Sequence, residues 1–162
     1  MLKRLMIVSY LFFYSNFAMA NGTCDIQAEA VIGILDFDVV GCVIEGDLEE
    51  KGGKLTGKFT ASLDKLDTGV KLRNEHMHDK YLHTKKFPKA TFILDPLNVG
   101  SDKFSGKMTL HGVTKSISGK VISSSSKSLK ANFDLDITDY GIEKPGYKNI
   151  VVGQSLNITV SL

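Results

Sequence analysis

An alternation of apolar and polar residues, repeated along most of the chain, constrains the fold more than any other feature. In the segment 54–63, apolar residues and one glycine occupy every second position: Leu55, Gly57, Phe59, Ala61 and Leu63. A period of two is typical of a β-strand with one buried face. The same alternation returns in four later segments: 90–94, 104–110, 133–137 and 156–162.

Short stretches rich in glycine, lysine, serine or asparagine separate these segments. They comprise residues 51–53, 98–102 and 123–128, and such stretches are typical of turns. Further strand candidates are 31–40 and 42–48, on either side of Gly41, and 117–122. A total of about eight strands with short connections predicts an all-β fold, an antiparallel barrel or sandwich.

One segment interrupts the β pattern. Residues 72–86 are polar, rich in His and Lys, and contain no β-branched residue before Thr84. They predict a helix or helical turn followed by a loop, which ends near residue 87 because the residue before Pro88 is disfavoured in the α region. A long excursion between strands often carries function, and it equally fits a simple cap over one end of a barrel.

The first twenty residues have the pattern of a secretory signal peptide. Lys3 and Arg4 precede a mostly apolar stretch, 5–17, and 18–20 (Ala-Met-Ala) is a small-x-small cleavage pattern. The apolar stretch is shorter than the roughly 20 residues that span a bilayer. We therefore expect cleavage before Asn21, a single mature domain over 21–162, no membrane-spanning segment after cleavage, and a periplasmic or secreted location.

Removal of this leader makes the chain electrically neutral. The whole chain has 20 basic and 18 acidic residues, and the leader contains two of the basic ones, so 18 of each remain. Such a balance predicts neither a nucleic-acid partner nor a strongly charged membrane-binding surface.

The chain has two cysteines, Cys24 and Cys42. In an oxidising compartment two cysteines usually pair, here closing a loop of roughly 18 residues and contributing about 3 kcal/mol. Two free thiols remain the alternative, because the sequence does not give the Cα distance on which a disulfide depends. Lipid modification of Cys24 is disfavoured, since Thr23 rather than Gly or Ala precedes it.

The histidines of the polar excursion raise the question of a metal site. His76 and His83 are seven residues apart and would share a helix face, while His78 would lie on another. Neither an HExxH motif nor a Cys/His ligand spacing is present, so surface polar residues are the favoured interpretation and no metal is predicted. No serine lies in a GxSxG elbow or similar motif, and we predict no catalytic residue.

Two further groups of residues have alternative interpretations. Arg73, the one arginine after the leader, suits either a polar or anionic ligand group at a barrel mouth or an ion pair with a loop aspartate. The inward-facing phenylalanines are Phe37, Phe59, Phe92, Phe104 and Phe133. They fit either a filled core or an apolar pocket, because barrels of about eight strands occur in both forms.

Four motifs occur in order along the chain. They are T-G-x-x-x-R-N-x-H-M at 68–77, F-P-x-x-x-F at 87–92, M-T-L-H-G-V-T-K at 108–115 and D-Y-G-I at 139–142. Together they resemble the YceI-like family of bacterial polyisoprenoid-binding, lipocalin-like exported proteins, over residues 54–162. The cysteine pair is not a general feature of that family.

The resemblance implies an eight-stranded antiparallel, lipocalin-like barrel that holds a long isoprenoid chain, of the polyprenyl or quinone type, as a carrier or reservoir without a cofactor. The residues expected to line its interior are Phe37, Phe59, Phe92, Phe104, Met108, Phe133 and Tyr140. By their match to the family motif, Arg73, Asn74 and His76 would touch a polar head group or brace the mouth. An interaction or stress-response barrel with a filled core, and less favourably an enzyme for a lipid-derived substrate, remain alternatives. Monomer and dimer both stay open.

Overall fold

The computed structural model describes residues 19–30, 37–147 and 150–162. Within these residues the chain forms ten strands: β1 (Met19–Ala30), β2 (Phe37–Val39), β3 (Val43–Lys51), β4 (Lys54–Ser62), β5 (Lys89–Asn98), β6 (Lys103–Leu110), β7 (Val113–Ser125), β8 (Ser128–Asp136), β9 (Gly146–Tyr147) and β10 (Ile150–Ser161). Residues 1–18 of the predicted leader, and 31–36 of one strand candidate, lie outside the described residues.

Eight of these strands form a closed antiparallel barrel. Their order is β1-β3-β4-β5-β6-β7-β8-β10, and the ring closes because β10 also pairs with β1. The two short strands extend the wall at one end, where β2 pairs with the second half of β1 and β9 with the start of β10. The predicted eight-stranded antiparallel barrel is confirmed.

The two ends of the barrel differ. The tight connections 52–53, 99–102 and 126–127 lie at one end, which we call the closed end. Leu48, Leu55 and Leu97 are buried near it. The opposite end is crossed by the long connection 63–88, which we call the covering segment, together with the turn 111–112 and the connection 137–147. The opening of any internal space is therefore set by these longer connections.

The covering segment is partly helical, as predicted for residues 72–86. It begins with a 3-10 turn, Leu63–Lys65, and continues with helix α1 (Lys71–Glu75) and a π-helical turn, His76–Tyr81. The backbone N–H of Leu63 donates to the carbonyl of Pro88 over 2.8 Å, so the two ends of the segment meet where β4 and β5 are paired.

The inward faces of the strands follow the sequence alternation. Leu55, Phe59 and Leu63 are buried, and the residues between them are exposed or half-buried. Glycines in the inward rows make room for aromatic rings: a Cβ atom at Gly106 would collide with the ring of Phe92. Small residues are thus as necessary to the interior as large ones.

Strand β1 and the two-residue strand β9 are the strands that the sequence analysis did not assign. Of these, β1 is part of the closed barrel. Strand β1 begins at Met19, two residues before the predicted mature start. Its first five residues pair with β3, from Met19 opposite Asp47 to Thr23 opposite Val43. Cys24 and Ile26 are half-buried while Asp25 and Gln27 are exposed. The strand therefore has the period of two, over a stretch too short to stand out beside the leader.

Candidate functional site

An apolar cavity of about 690 Å³ occupies the barrel interior. Of the residues predicted to line it, the following do so: Phe37, Phe59, Phe92, Phe104, Met108 and Phe133. Tyr140 is instead 1% exposed and lies outside the lining. The interior is thus neither completely filled nor polar. Of the two alternatives that the sequence pattern left open, a filled core or an apolar pocket, the structure shows a pocket.

A row of phenylalanines forms one wall of the cavity. The ring centroids of Phe92 and Phe104 are 5.9 Å apart with the rings edge to face, and Phe104 and Phe133 repeat this geometry at 5.9 Å. Edge-to-face contact is a favoured arrangement of aromatic pairs, so the rings hold one another in place. This wall presents a continuous, ordered hydrocarbon surface.

The cavity meets solvent beside α1. Val70 and Leu72 both line the cavity and are 45% and 47% exposed. At the other end, Leu48, Leu55 and Leu97 are buried and lie outside the lining. The cavity therefore opens next to the covering segment and extends towards the closed end.

Arg73 lies at this mouth. It is part of the cavity lining, and its guanidinium carbon is 4.1 Å from the ring centroid of Phe37, a cation–π contact. Among the described residues, salt bridges join only lysines to carboxylates, and none involves Arg73. The arginine thus brings a positive charge to an apolar opening, held there by an aromatic ring.

Asn74 lies outside the cavity lining and braces the covering segment. Its Oδ1 accepts hydrogen bonds from the backbone N–H of Thr68 over 2.8 Å and from the Thr68 hydroxyl over 2.6 Å. Its amide nitrogen donates to Oδ1 of Asp67 over 2.6 Å, and this bond, with a second from the N–H of Gly69, lowers the pKa of the Asp67 carboxyl. Asn74 therefore stabilises the covering segment at the mouth without itself lining the cavity.

Asp67 in turn ties the covering segment to the wall. Its backbone exchanges two hydrogen bonds with Val40, of 2.8 and 2.9 Å, just beyond β2. The chain of contacts from Asn74 through Asp67 to Val40 fixes where α1 begins relative to Phe37. This placement holds Arg73 over its aromatic partner.

The histidines of the covering segment are separated in space. His76 lines the cavity, whereas the Nε2 of His78 donates to the carbonyl of Leu66 over 2.9 Å. His83 contacts His111 of the β6–β7 turn instead of His76. In the part of the chain that the structure describes, no three His, Cys, Asp or Glu side chains are grouped to hold a metal ion.

Several lining residues of the covering segment escaped the sequence analysis, among them Met77, Tyr81 and Leu82. Tyr81 also fastens the segment, since its hydroxyl accepts from the N–H of Gly146 over 3.0 Å and donates to the Gly146 carbonyl over 3.3 Å. The available signal was the spacing of four that joins Arg73, Met77 and Tyr81 on one helical face.

Cys24 and Cys42 form a disulfide, with Cα atoms 5.3 Å apart, which confirms the predicted pairing. The bond spans the gap where the partner of β1 changes from β3, at Thr23↔Val43, to β2, at Ile26↔Val39. Both cysteines line the cavity. The disulfide therefore reinforces the wall of the pocket where the β1–β3 ladder ends, beside a backbone hydrogen bond of 3.5 Å from the N–H of Cys24 to the carbonyl of Cys42.

The model of the YceI-like domain matches residues 16–162 of this sequence. Among curated proteins, none matches the chain significantly. Within the described residues, no helix is long and apolar enough to cross a membrane.

Several solved structures share the fold. BcnA from Burkholderia cenocepacia superposes with a TM-score of 0.66 at 15% identity, over 85% of this chain and 94% of BcnA. A polyisoprenoid-binding domain from Saccharophagus degradans, implicated in plant cell wall breakdown, gives 0.66 at 17% identity, over 90% and 96% of the two chains. The YceI protein of Campylobacter jejuni gives 0.59 at 16% identity, over 81% and 86%. At these identities the likeness establishes the fold.

Proposed function

The chain belongs to the YceI-like family, and from that premise we propose that it binds a long isoprenoid chain, of the polyprenyl or quinone type, as a periplasmic carrier or reservoir. The observation that carries this proposal is the apolar cavity of about 690 Å³ inside a closed barrel, open beside α1. A barrel that served only as an interaction module would gain stability by filling this space, since unfilled core volume is destabilising.

The cavity is large enough to make such binding favourable. Transfer of several hundred Å² of isoprenoid surface from water, at about 25 cal/mol per Å², contributes on the order of 10 kcal/mol. The cost of ordering a flexible chain and of association reduces the net affinity. The remainder supports a stable complex for a ligand that is insoluble by itself.

The volume also sets the length of chain that fits. A cavity of about 150 Å³ holds one six-carbon benzene ring, so on the same scale the 690 Å³ observed here holds roughly 28 carbons. This corresponds to about five or six isoprene units, and the remainder of a longer chain would leave through the mouth.

The mouth suits a polar or anionic head group. Arg73 offers a positive charge, stacked on Phe37, for which the described residues provide no carboxylate. A guanidinium in this position favours a phosphate, a carbonyl or a phenolic oxygen at the end of the chain. His76 lines the same region, and Asn74 supports it from outside the lining.

Two further observations support the proposal. The structure from Saccharophagus degradans is described as a polyisoprenoid-binding domain, and it covers 90% of this chain. The Cys24–Cys42 disulfide, together with the leader pattern of residues 1–20, supports an oxidising, exported location. An enzyme acting on a lipid-derived substrate has no comparable observation in its favour.

The test is native mass spectrometry, combined with organic extraction, of the mature protein purified from its own cell envelope. We expect one long-chain isoprenoid per protein molecule, with its mass identifying the head group. An empty protein that also takes up neither added polyprenols nor added quinones would overturn the proposal.

A further inference from the structure

We propose that the mouth of the cavity docks on a lipid bilayer that contains anionic lipids, through the side chains of Val70 and Leu72 and the lysines of the covering segment. The inference rests on the proposed function, because such a bilayer would be the source or the destination of the bound lipid. It adds an interaction surface and the chemistry of its partner.

The exposed apolar residues of the mouth differ from those elsewhere on the protein. Ile93 and Ile122 are also about half exposed, but they lie outside the cavity lining, and single exposed apolar side chains are ordinary on protein surfaces. Val70 and Leu72 are exposed and line the cavity at the same time. They therefore extend the apolar surface of the pocket to the outside of the molecule.

This continuity matters for a lipid that moves between a membrane and the barrel. An isoprenoid chain that crossed a polar rim would expose its apolar surface to water during transfer, which is unfavourable in proportion to the area exposed. If Val70 and Leu72 insert among the lipid acyl chains, the ligand passes from one apolar environment directly into another.

The charges around the mouth complement an anionic surface. The covering segment contains six basic residues, Lys65, Lys71, Arg73, Lys80, Lys85 and Lys86, and four acidic ones, Asp64, Asp67, Glu75 and Asp79. The connection 137–147 adds two acidic residues and one basic residue, so these two connections together keep an excess of one positive charge. The neutrality expected for the whole mature chain conceals this local excess.

The lysines of this region are free to reach a membrane surface. Lys71, which stands between Val70 and Leu72, has a side chain that is 92% exposed, and its nearest carboxylate, on Glu75, is 4.0 Å away. Lys85 is 90% exposed and pairs with Asp79 at 3.2 Å. Ion pairs as exposed as these are weak, so phosphate groups of a membrane can compete for the ammonium groups.

The composition of the mouth favours a bilayer over a protein partner. Protein interfaces are enriched in aromatic residues and arginine and depleted in lysine. Here the exposed large apolar residues of the described chain are valine, leucine and isoleucine, without an aromatic residue among them, and the covering segment contains five lysines. Long, flexible lysine side chains suit a diffuse layer of phosphate groups rather than one fixed partner.

Sedimentation of the mature protein with lipid vesicles tests this inference. The vesicles contain either phosphatidylcholine alone or equal parts of phosphatidylcholine and phosphatidylglycerol, and no isoprenoid is present. We expect binding to the mixed vesicles that weakens in high salt. The double variant V70S/L72S should bind about tenfold more weakly, because two partly inserted apolar side chains are lost.

Val99→Ser is the matched control. Val99 is 41% exposed, lies in the 99–102 turn at the closed end, and takes no part in the cavity lining. We expect this variant to bind vesicles like the parent protein. Equal loss in both variants, or equal binding by both, would overturn the inference, as would binding only to an envelope protein and not to vesicles.

Uptake of a polyprenol supplied from cyclodextrin, without vesicles, separates this inference from the proposed function. A parent protein that takes up the polyprenol but does not sediment with vesicles overturns the docking surface alone. A parent protein that sediments through Val70 and Leu72 but takes up no polyprenol overturns the proposed function and leaves the docking surface in place.

Discussion

The Nδ1 atom of His83 lies 2.9 Å from the Nε2 atom of His111, and both residues have positive φ, 47° and 51°. They are the only two residues other than glycine that have a positive φ in the described part of the chain. The Nδ1 of His111 also donates to the carbonyl of Tyr140 over 3.3 Å. The two contacts of the His111 side chain thus join the covering segment, the β6–β7 turn and the connection after β8.

Replacement of His83 tests whether this contact holds a strained backbone. The left-handed region costs a residue with a Cβ about 1 kcal/mol, and glycine adopts it freely. His83→Ala loses the contact and keeps the strain, whereas His83→Gly loses the contact and relieves the strain. We expect both variants to be less stable than the parent in urea unfolding and the glycine variant to be the more stable of the two. An alanine variant as stable as the glycine variant would contradict this.

Removal of the disulfide should weaken the cavity wall. The bond closes a loop with a sequence separation of 18 residues, for which the chain-entropy model gives about 3 kcal/mol. We expect the double variant C24S/C42S to lose free energy of unfolding by about that amount in urea titration. The oxidised parent is the control, and the reduced parent should match the double variant. An unchanged free energy of unfolding in the double variant and in the reduced parent would contradict this prediction. It would show that the strand pairing of β1 holds the wall without the disulfide.

Arg73 should discriminate between head groups. Arg73→Met removes the charge and keeps an apolar side chain at the mouth, so we expect about tenfold weaker binding of a polyprenyl phosphate and a smaller change for the corresponding alcohol. Arg73→Lys restores the charge but not the planar stacking on Phe37 and should recover part of the loss. Competition binding measures all three proteins, and equal losses for both ligands would assign Arg73 a structural role.

A larger side chain at Ala61 should block the ligand. Ala61 lines the cavity from β4, so a ring in Ala61→Phe would occupy space that the isoprenoid needs. Lys58→Phe places the same ring on the exposed face of the same strand and serves as the control. We expect polyprenol uptake to fall at least fivefold in the first variant only, since several CH₂ groups of the ligand lose their burial. Equal uptake by the two variants would place the ligand elsewhere.

Acid should loosen the covering segment. The Asn74 amide, first, and the Gly69 N–H hold the pKa of Asp67 below its usual value. The folded state therefore binds fewer protons than the unfolded state, and this stabilisation is present above about pH 4 and is lost as the pH falls through the lowered pKa. In Asn74→Ala, stability should depend less on pH below pH 4, as urea unfolding at several pH values would measure. A parallel pH dependence in both proteins would contradict the assignment.

The strands were predictable because each has one buried face. Leu55, Phe59 and Leu63 alternate with polar residues as the barrel requires, and the same holds for Phe133 and Leu135. The local pattern did not decide between a barrel and a sandwich. That choice depends on the pairing of β1 with β10, two strands at opposite ends of the sequence.

The functional site was only partly predictable, because a local sequence pattern does not show how distant segments come together. All five inward phenylalanines line the cavity. A filled core and a pocket have the same alternation, however, so the empty volume is a property of the whole barrel. Tyr140 has the same hydrophobic character and packs outside the lining. The contact between His83 and His111 joins residues 28 apart and has no signature in either local sequence.

The most direct test of the central claim is a binding series with isoprenoid alcohols of increasing length. The account predicts that each added unit raises the affinity until about five or six units fill the 690 Å³ cavity, after which the affinity levels off. Native mass spectrometry should show one ligand per protein throughout. An affinity that does not change with chain length, or the absence of binding at every length, would contradict a ligand held inside the barrel.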